Sequence, residues 1–162
     1  MSFSLRFLKN KSIIKKECAV YIHHYQCDSP GILCDEVMLR HIERYMDENK
    51  DLISAQRNTD ADFKIFVKKL ISKVSFDMIV SRSYSGYIYS SIYHVHKKVM
   101  DDLLSSGFIS QREYDENYHS MELLISERLS DYEKELIQKH NEAKERLKEL
   151  YKENSSVNED NL

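Results

Sequence analysis

The chain has 162 residues, with only three glycines and one proline, and its formal net charge is −3. Because β-sheets need many turns, and turns draw on Gly and Pro, this composition favours a few long helices. So few glycines exclude glycine-rich phosphate-binding and dinucleotide-binding loops, and no apolar run reaches the length of a membrane span. Three cysteines without an export signal predict free thiols and a cytoplasmic location.

The positive charge is concentrated in two segments of this acidic chain. Residues 1–16 hold five basic residues and no acid, and residues 63–98 hold seven basic residues against one acid. The second segment is also rich in tyrosine. Such a segment is either a binding surface for an anionic partner or the counterpart of an acidic element in the same or another protein. Both interpretations remain open at the level of sequence.

In chain order, the first half predicts an arm and two helices. Residues 1–11 predict a flexible basic arm, which is either a solvated terminus or a contact for anionic lipid or a nucleic-acid backbone. Ser12 is suited to cap a helix that ends near Cys27, and Pro30 is suited to begin a second helix that ends near Glu48. The polar residues 49–62 predict a loop that contains a short helical piece.

The centre of the chain predicts two helices and a well-defined turn. Apolar spacing indicates a helix from Phe63, and a shift in the phase of that spacing predicts a bend or break near Ser75. A second helix should follow to about Leu103. Gly107 then suits the left-handed position that closes a helix, and Ser110 is a predicted cap for the next one.

The last helix is predicted to be unusually long, from Gln111 to about Glu153, or roughly 60 Å at 1.5 Å per residue. We expect residues 137–153 to project and residues 154–162 to be a disordered acidic tail. The fold class is therefore predicted as all-α: one domain over residues 12–153, forming an antiparallel bundle of four to five helices with a long protruding C-terminal helix. The interface residues predicted on that helix are Leu136, His140, Ala143, Leu147 and Leu150.

The basic central segment supplies the candidate binding residues. Tyrosine and arginine stack on bases, whereas lysines contact phosphates without reading sequence. Tyrosines at helical spacing are usually core residues, so a structural or interface role is favoured over nucleic-acid binding for this segment. The candidates are Lys64, Lys68, Lys69, Lys73, Arg82, Tyr89, Tyr93, His96 and Lys97.

Cysteine and histidine residues are clustered in the first quarter of the chain. Their spacing matches no zinc signature, and helical geometry places Cys18 and His23 on different sides of one helix. Cys34 and His41 lie two turns apart on another. We expect two buried thiols, with Cys18 facing the core, and some surface histidines, and we predict no metal ion and no cofactor.

The stretch from Asp77 to Ser91 resembles the central helix of HEPN-domain proteins, which often carry an Asp, then Ser-Arg, an aromatic pair, a small residue and another aromatic. The resemblance implies a helical, frequently dimeric protein, and in many members a metal-independent ribonuclease. Catalysis in that family rests on an arginine followed four to six residues later by a histidine. Arg82 matches the arginine, but positions 87–89 are Tyr, Ile and Tyr. The resemblance therefore implies binding without cleavage, unless Tyr89 or His96 substitutes for the histidine.

These patterns predict a non-enzymatic cytosolic interaction or regulatory protein. It would oligomerise through its C-terminal helix and bind a protein partner or a second copy of itself. The alternative is a HEPN-like RNA-binding protein or ribonuclease of the toxin–antitoxin or phage-defence type, with RNA or DNA as its partner. No small-molecule substrate is indicated.

Overall fold

The computed structural model describes residues 2–27, 33–81 and 86–160, and it describes their side chains except at 86–87, 125–137 and 154–160. Every regular element in these ranges is a helix, so the prediction of an all-α bundle is confirmed. The helices are α1 (Phe3–Gln26), α2 (Asp35–Glu48), α3 (Lys50–Ser54), α4 (Phe63–Val80), α5 (Gly86–Ser105) and α6 (Gln111–Asp160).

The first helix begins ten residues earlier than the sequence predicted, since α1 is capped by Ser2 and not by Ser12. The hydroxyl of Ser2 caps it by accepting a hydrogen bond from the backbone N–H of Leu5 at 3.3 Å. Phe7 is only 6% exposed, so this turn is also held by packing. The prediction of a flexible arm over residues 1–11 was wrong because a cap and a buried aromatic residue both lie within it.

Ion pairs show that α1 and α2 run antiparallel. Lys11, early in α1, lies 2.8 Å from Asp47 near the end of α2. One turn further along α1, Lys15 lies 2.5 Å from Glu43. The predicted ends of both helices, near Cys27 and Glu48, are confirmed. Pro30 lies outside the described residues, but the expected helix over Leu33 and Cys34 was wrong, because α2 begins at Asp35.

The bend predicted near Ser75 is absent, because α4 runs without interruption from Phe63 to Val80. Ser75 is fully buried, and Val74 and Met78, on either side of it, are buried as well. α4 contacts α1, α2 and α5, so apolar residues on more than one side of the helix are covered. The shift in apolar phase therefore reflects a wide buried surface on α4 and not a break in its backbone.

The turn between α5 and α6 agrees with the prediction. Gly107 has a φ of 78°, and the backbone N–H of Phe108 donates to the carbonyl of Leu103 at 2.9 Å, as in a Schellman closure. The hydroxyl of Ser110 accepts a hydrogen bond from the N–H of Glu113 at 3.1 Å, which caps α6. Local sequence chemistry is sufficient to set this turn.

α6 continues to Asp160, seven residues past its predicted end, so residues 154–160 are helical and not a disordered tail. The sequence has no Gly or Pro after Gly107 that would stop the helix. The chain divides into two compact units, Met1–Met121 and Glu122–Leu162. No helix in the described ranges is both long enough and apolar enough to cross a bilayer. The largest fully buried side chains of the first unit are Ile14, Ile22, Met38, Ile42, Met46, Ile53, Ile71, Met78, Ile79, Ile92, Leu103 and Met121.

Candidate functional site

The four candidate lysines of α4 differ in their surroundings. Lys64 and Lys69 are exposed and make no ion pair within the part of the chain that the structure describes. Lys73 is exposed too, and its ammonium lies 3.7 Å from Asp77 one turn away. The side chain of Lys68 is only 17% exposed, and its ammonium lies 3.0 Å from the carboxylate of Asp102 on α5. Lys68 is therefore part of the bundle, and the acid that balances it is on α5 instead of the acidic α6.

Asp102 is the centre of a polar network that joins α1, α4 and α5. The hydroxyl of Tyr25 donates to Asp102 Oδ2 at 2.5 Å, and Ser106 donates to Oδ1 at 3.3 Å. The Lys68 ammonium also lies 5.3 Å from the centroid of the Tyr21 ring. Burial raises the pKa of Asp102, but the hydrogen bonds from Tyr25 and Lys68 outweigh that effect and hold it below its usual value. The pKa of Tyr25 is raised, mainly because the hydroxyl is buried and to a smaller extent because it is hydrogen-bonded to Asp102.

His96 lies inside the bundle and connects three helices. Its Nδ1 is 2.7 Å from the hydroxyl of Ser75 on α4, and its Nε2 is 2.8 Å from Oδ1 of Asn117 on α6. Burial lowers its pKa, so the ring is neutral at pH 7. The Ser75 hydroxyl donates to the backbone carbonyl of Ser72 at 3.0 Å, and both ring nitrogens of His96 have hydrogen-bond partners within the bundle. His96 is 2% exposed and cannot contact a macromolecule at the surface.

The other candidates on α5 are divided between the core and the surface. Tyr89 is 6% exposed, so its predicted place on an exposed face was wrong. Tyr93 is half-buried and Lys97 is exposed. Arg82, the residue that carries the HEPN resemblance, lies outside the described residues. Among the predicted binding residues of α5, only Tyr93 and Lys97 reach the surface.

Those two residues lie on a shallow groove between α5 and the first turns of α6. The rings of Tyr114 and Tyr118 stack there with centroids 6.4 Å apart. The hydroxyl of Tyr114 donates to Asp101 at 2.5 Å, and that bond together with burial raises the pKa of Tyr114 to about 12. The groove offers aromatic surface and one ammonium group, that of Lys97. Its lining consists of Tyr93, His96, Lys97, Met100, Tyr114, Asn117, Tyr118 and Met121.

The α6 side of this groove was not predicted from the sequence. Tyr114, Asn117 and Tyr118 are not among the candidate binding residues that the sequence supplied. The tight turn at Gly107 was the available signal, because it requires the start of α6 to fold back along the end of α5.

The second unit carries the predicted interface, which we call the α6 stripe: residues 140, 143, 147 and 150. Leu147 is 54% exposed and Leu150 is 55% exposed, and His140 is exposed as well. Ala143 is half-buried, and the side chain of Leu136 lies outside the described residues. Two large apolar side chains one turn apart are therefore open to solvent.

The cysteines do not form a metal site in the part of the chain that the structure describes, where no group of three or more suitable ligands occurs. Cys18 and Cys34 are fully buried, and Cys27 is exposed. Burial raises the pKa of Cys18 to about 12 and that of Cys34 to about 11. Both are inert thiols of the core.

No family model, curated protein or solved structure matches the chain.

Proposed function

We propose that this chain is a non-enzymatic, cytosolic interaction protein that associates with a second copy of itself through the α6 stripe. One observation carries the proposal. His140, Ala143, Leu147 and Leu150 follow the alternating three- and four-residue spacing of a coiled-coil seam, and the two leucines are more than half exposed. A helix of this kind gains apolar burial when a matching helix covers the seam.

The charges beside the seam favour an antiparallel partner. When Leu147 of one copy faces Leu150 of the other, Arg146 comes opposite Glu153 of the second copy. The same register places the Lys144 ammonium beside the ring of Tyr151, which is 70% exposed. Because the arrangement is two-fold symmetric, each favourable pair occurs twice.

A parallel pair has poorer electrostatics. In a parallel coiled coil, the residue just before a seam position on one helix lies beside a residue of the other helix. That residue is the one that comes just after the next seam position. Lys139 of each copy would then face Lys144 of the other, and both lysines are exposed like charges. We therefore assign the antiparallel arrangement to the dimer.

Sedimentation velocity on the full chain tests this proposal. Replacing both leucines, as L147E/L150E, places four carboxylates in the seam of the dimer, so we expect a monomer at concentrations where the unchanged chain is a dimer. The matched control is K148Q/K152Q, which changes the net charge equally and lies off the seam. A chain that stays monomeric at every concentration, or a dimer that survives L147E/L150E, would contradict the proposal.

A second candidate function is RNA binding of the HEPN-like type, and it rests on Lys64 and Lys69. Both are exposed and have no acidic partner in the described residues. Contacts with phosphates should weaken steeply as salt rises. In a mobility-shift titration at low salt, we expect K64Q/K69Q to bind single-stranded RNA more weakly, with K148Q/K152Q as the charge-matched control. Absence of any complex with the unchanged chain would exclude this function.

A further inference from the structure

We propose that the outer face of α1 docks on the surface of an anionic lipid membrane. The face consists of Leu5, Leu8, Lys9, Ser12, Lys16 and Val20, all of which are exposed. Successive residues of a helix are separated by about 100°, so these six positions fall within about 120° of the helix circumference. They extend about 22 Å along the axis.

The apolar part of this face is substantial for a surface helix. Leu5 is 59% exposed, Leu8 is 58% exposed and Val20 is 64% exposed. Leu5 and Leu8 are three residues apart and so are neighbours on the helix surface. The core-facing side of α1, with Ile14 fully buried, lies on the opposite side. α1 thus has two apolar sides, and only one is covered by the bundle.

The two charged residues on this face are both lysines, and the nearest acid of α1, Glu17, lies about 60° beyond Val20 around the helix. Lys9 and Lys16 lie on it and Arg6 lies at its edge, and none of the three makes an ion pair within the described residues. The other two basic residues of the segment, Lys11 and Lys15, are paired with acids of α2. Of the five basic residues at positions 1–16, two therefore stabilise the fold and three remain available to contact a partner.

This combination of side chains matches a lipid surface better than the alternatives. A nucleic-acid backbone is contacted by cations and hydrogen-bond donors, and it gives no favourable contact to Leu5, Leu8 or Val20. The α6 stripe of a second copy is flanked by Lys144 and Arg146, which would repel Lys9 and Lys16. An anionic bilayer surface offers phosphates to the lysines and an apolar boundary to the leucines.

The fold holds this helix ready for docking. On the side of α1 away from the outer face, the amide of Asn10 lies 2.9 Å from the carbonyl of Ile53, 3.3 Å from that of Ser54 and 2.7 Å from that of Gln56. Asn10 thus ties α1 to the end of α3. Because the helix is already formed and anchored, docking requires no ordering of the chain.

Vesicle sedimentation with the full chain tests the inference. We expect binding to phosphatidylcholine vesicles that contain about 30% phosphatidylserine, and little binding to phosphatidylcholine alone. Replacing two charges, as K9Q/K16Q, should weaken binding about thirty-fold. Replacing two apolar residues, as L5S/L8S, should weaken it about ten-fold. The matched controls are K98Q/K152Q and L33S/L123S, which alter exposed residues elsewhere and should leave binding unchanged.

Several outcomes would overturn the inference. They are no binding to the anionic vesicles, equal binding to both kinds of vesicle, and equal losses in the variants and their controls. Circular dichroism of each variant checks that the helices are intact. RNA binding that K9Q/K16Q abolishes, in a chain that ignores vesicles, would assign the face to nucleic acid and also overturn the inference.

Discussion

The hydroxyl of Tyr25, at the end of α1, donates a 2.5 Å hydrogen bond to the carboxylate of Asp102, near the end of α5 and 77 residues further along the chain. The same carboxylate oxygen lies 3.0 Å from the ammonium of Lys68. Three helices are therefore held by one acidic side chain. This network places Lys68, from the most basic segment of the chain, inside the fold and away from any partner.

The Tyr25→Phe variant should lose stability, because it removes a hydrogen bond to a charged acceptor while keeping the ring in place. We expect the free energy of unfolding to fall by about 1.5–3 kcal/mol, measured by urea denaturation. Tyr151→Phe is the control, since Tyr151 is 70% exposed and its replacement should have no effect. Equal stability of the two variants would show that the Tyr25 bond contributes nothing to folding.

Stability should fall as the solution is acidified below about pH 6.5, the usual pKa of histidine. Burial lowers the pKa of His96 in the folded state, so the unfolded chain takes up the proton first. The stabilisation is complete above pH 6.5 and is lost as the pH falls toward the folded-state pKa. In thermal melts between about pH 7.5 and pH 5, the melting temperature of His96→Gln should fall less with acidification than that of the unchanged chain. If the melting temperature of that variant falls with pH as steeply as that of the unchanged chain, His96 is excluded as the cause of the acid destabilisation.

Gly107→Ala should destabilise the protein by about 1–2 kcal/mol through backbone strain alone. The φ of Gly107 is 78°, and a methyl group added there would meet nothing within 4 Å, so no steric clash contributes. Gly107→Asn should cost less, because Asn tolerates this conformation better than Ala. Chemical denaturation of both variants measures the difference, and a larger loss for Asn than for Ala would contradict the account.

Thiol labelling should distinguish the three cysteines. A reagent such as Ellman's should modify Cys27 in the native protein, because Cys27 is the exposed thiol. Cys18 and Cys34 are buried with raised pKa values of about 12 and about 11, so they should react only after unfolding. Cys27→Ser should abolish the native reaction. Rapid native labelling of a second thiol would contradict the described core.

The elements that the sequence predicted well are those set by local chemistry. Gly107 and Ser110 defined the junction of α5 and α6, because a left-handed position and a cap each require particular residue types. The apolar spacing from Phe63 likewise located the start of α4. These signals act within a few residues and do not depend on the rest of the fold.

Long-range contacts account for what the sequence did not predict. The helical first turns of α1 depend on the burial of Phe7, and the continuity of α4 through Ser75 depends on neighbours on several sides. Tyr89 and His96 were taken as surface candidates, and only their packing against other helices shows them to be buried. The groove at Tyr93 and Lys97 needs two helices, so spacing within one helix could not reveal it.

A charge-exchange series at Arg146 and Glu153 tests the central claim, antiparallel self-association, most directly. In that dimer, R146E and E153R should each weaken dimerisation about ten-fold or more by setting like charges opposite each other. The combined variant R146E/E153R exchanges the partners and should restore the dissociation constant measured by sedimentation equilibrium. Recovery in the combined variant is the result we predict, and additive weakening without recovery would contradict the antiparallel dimer.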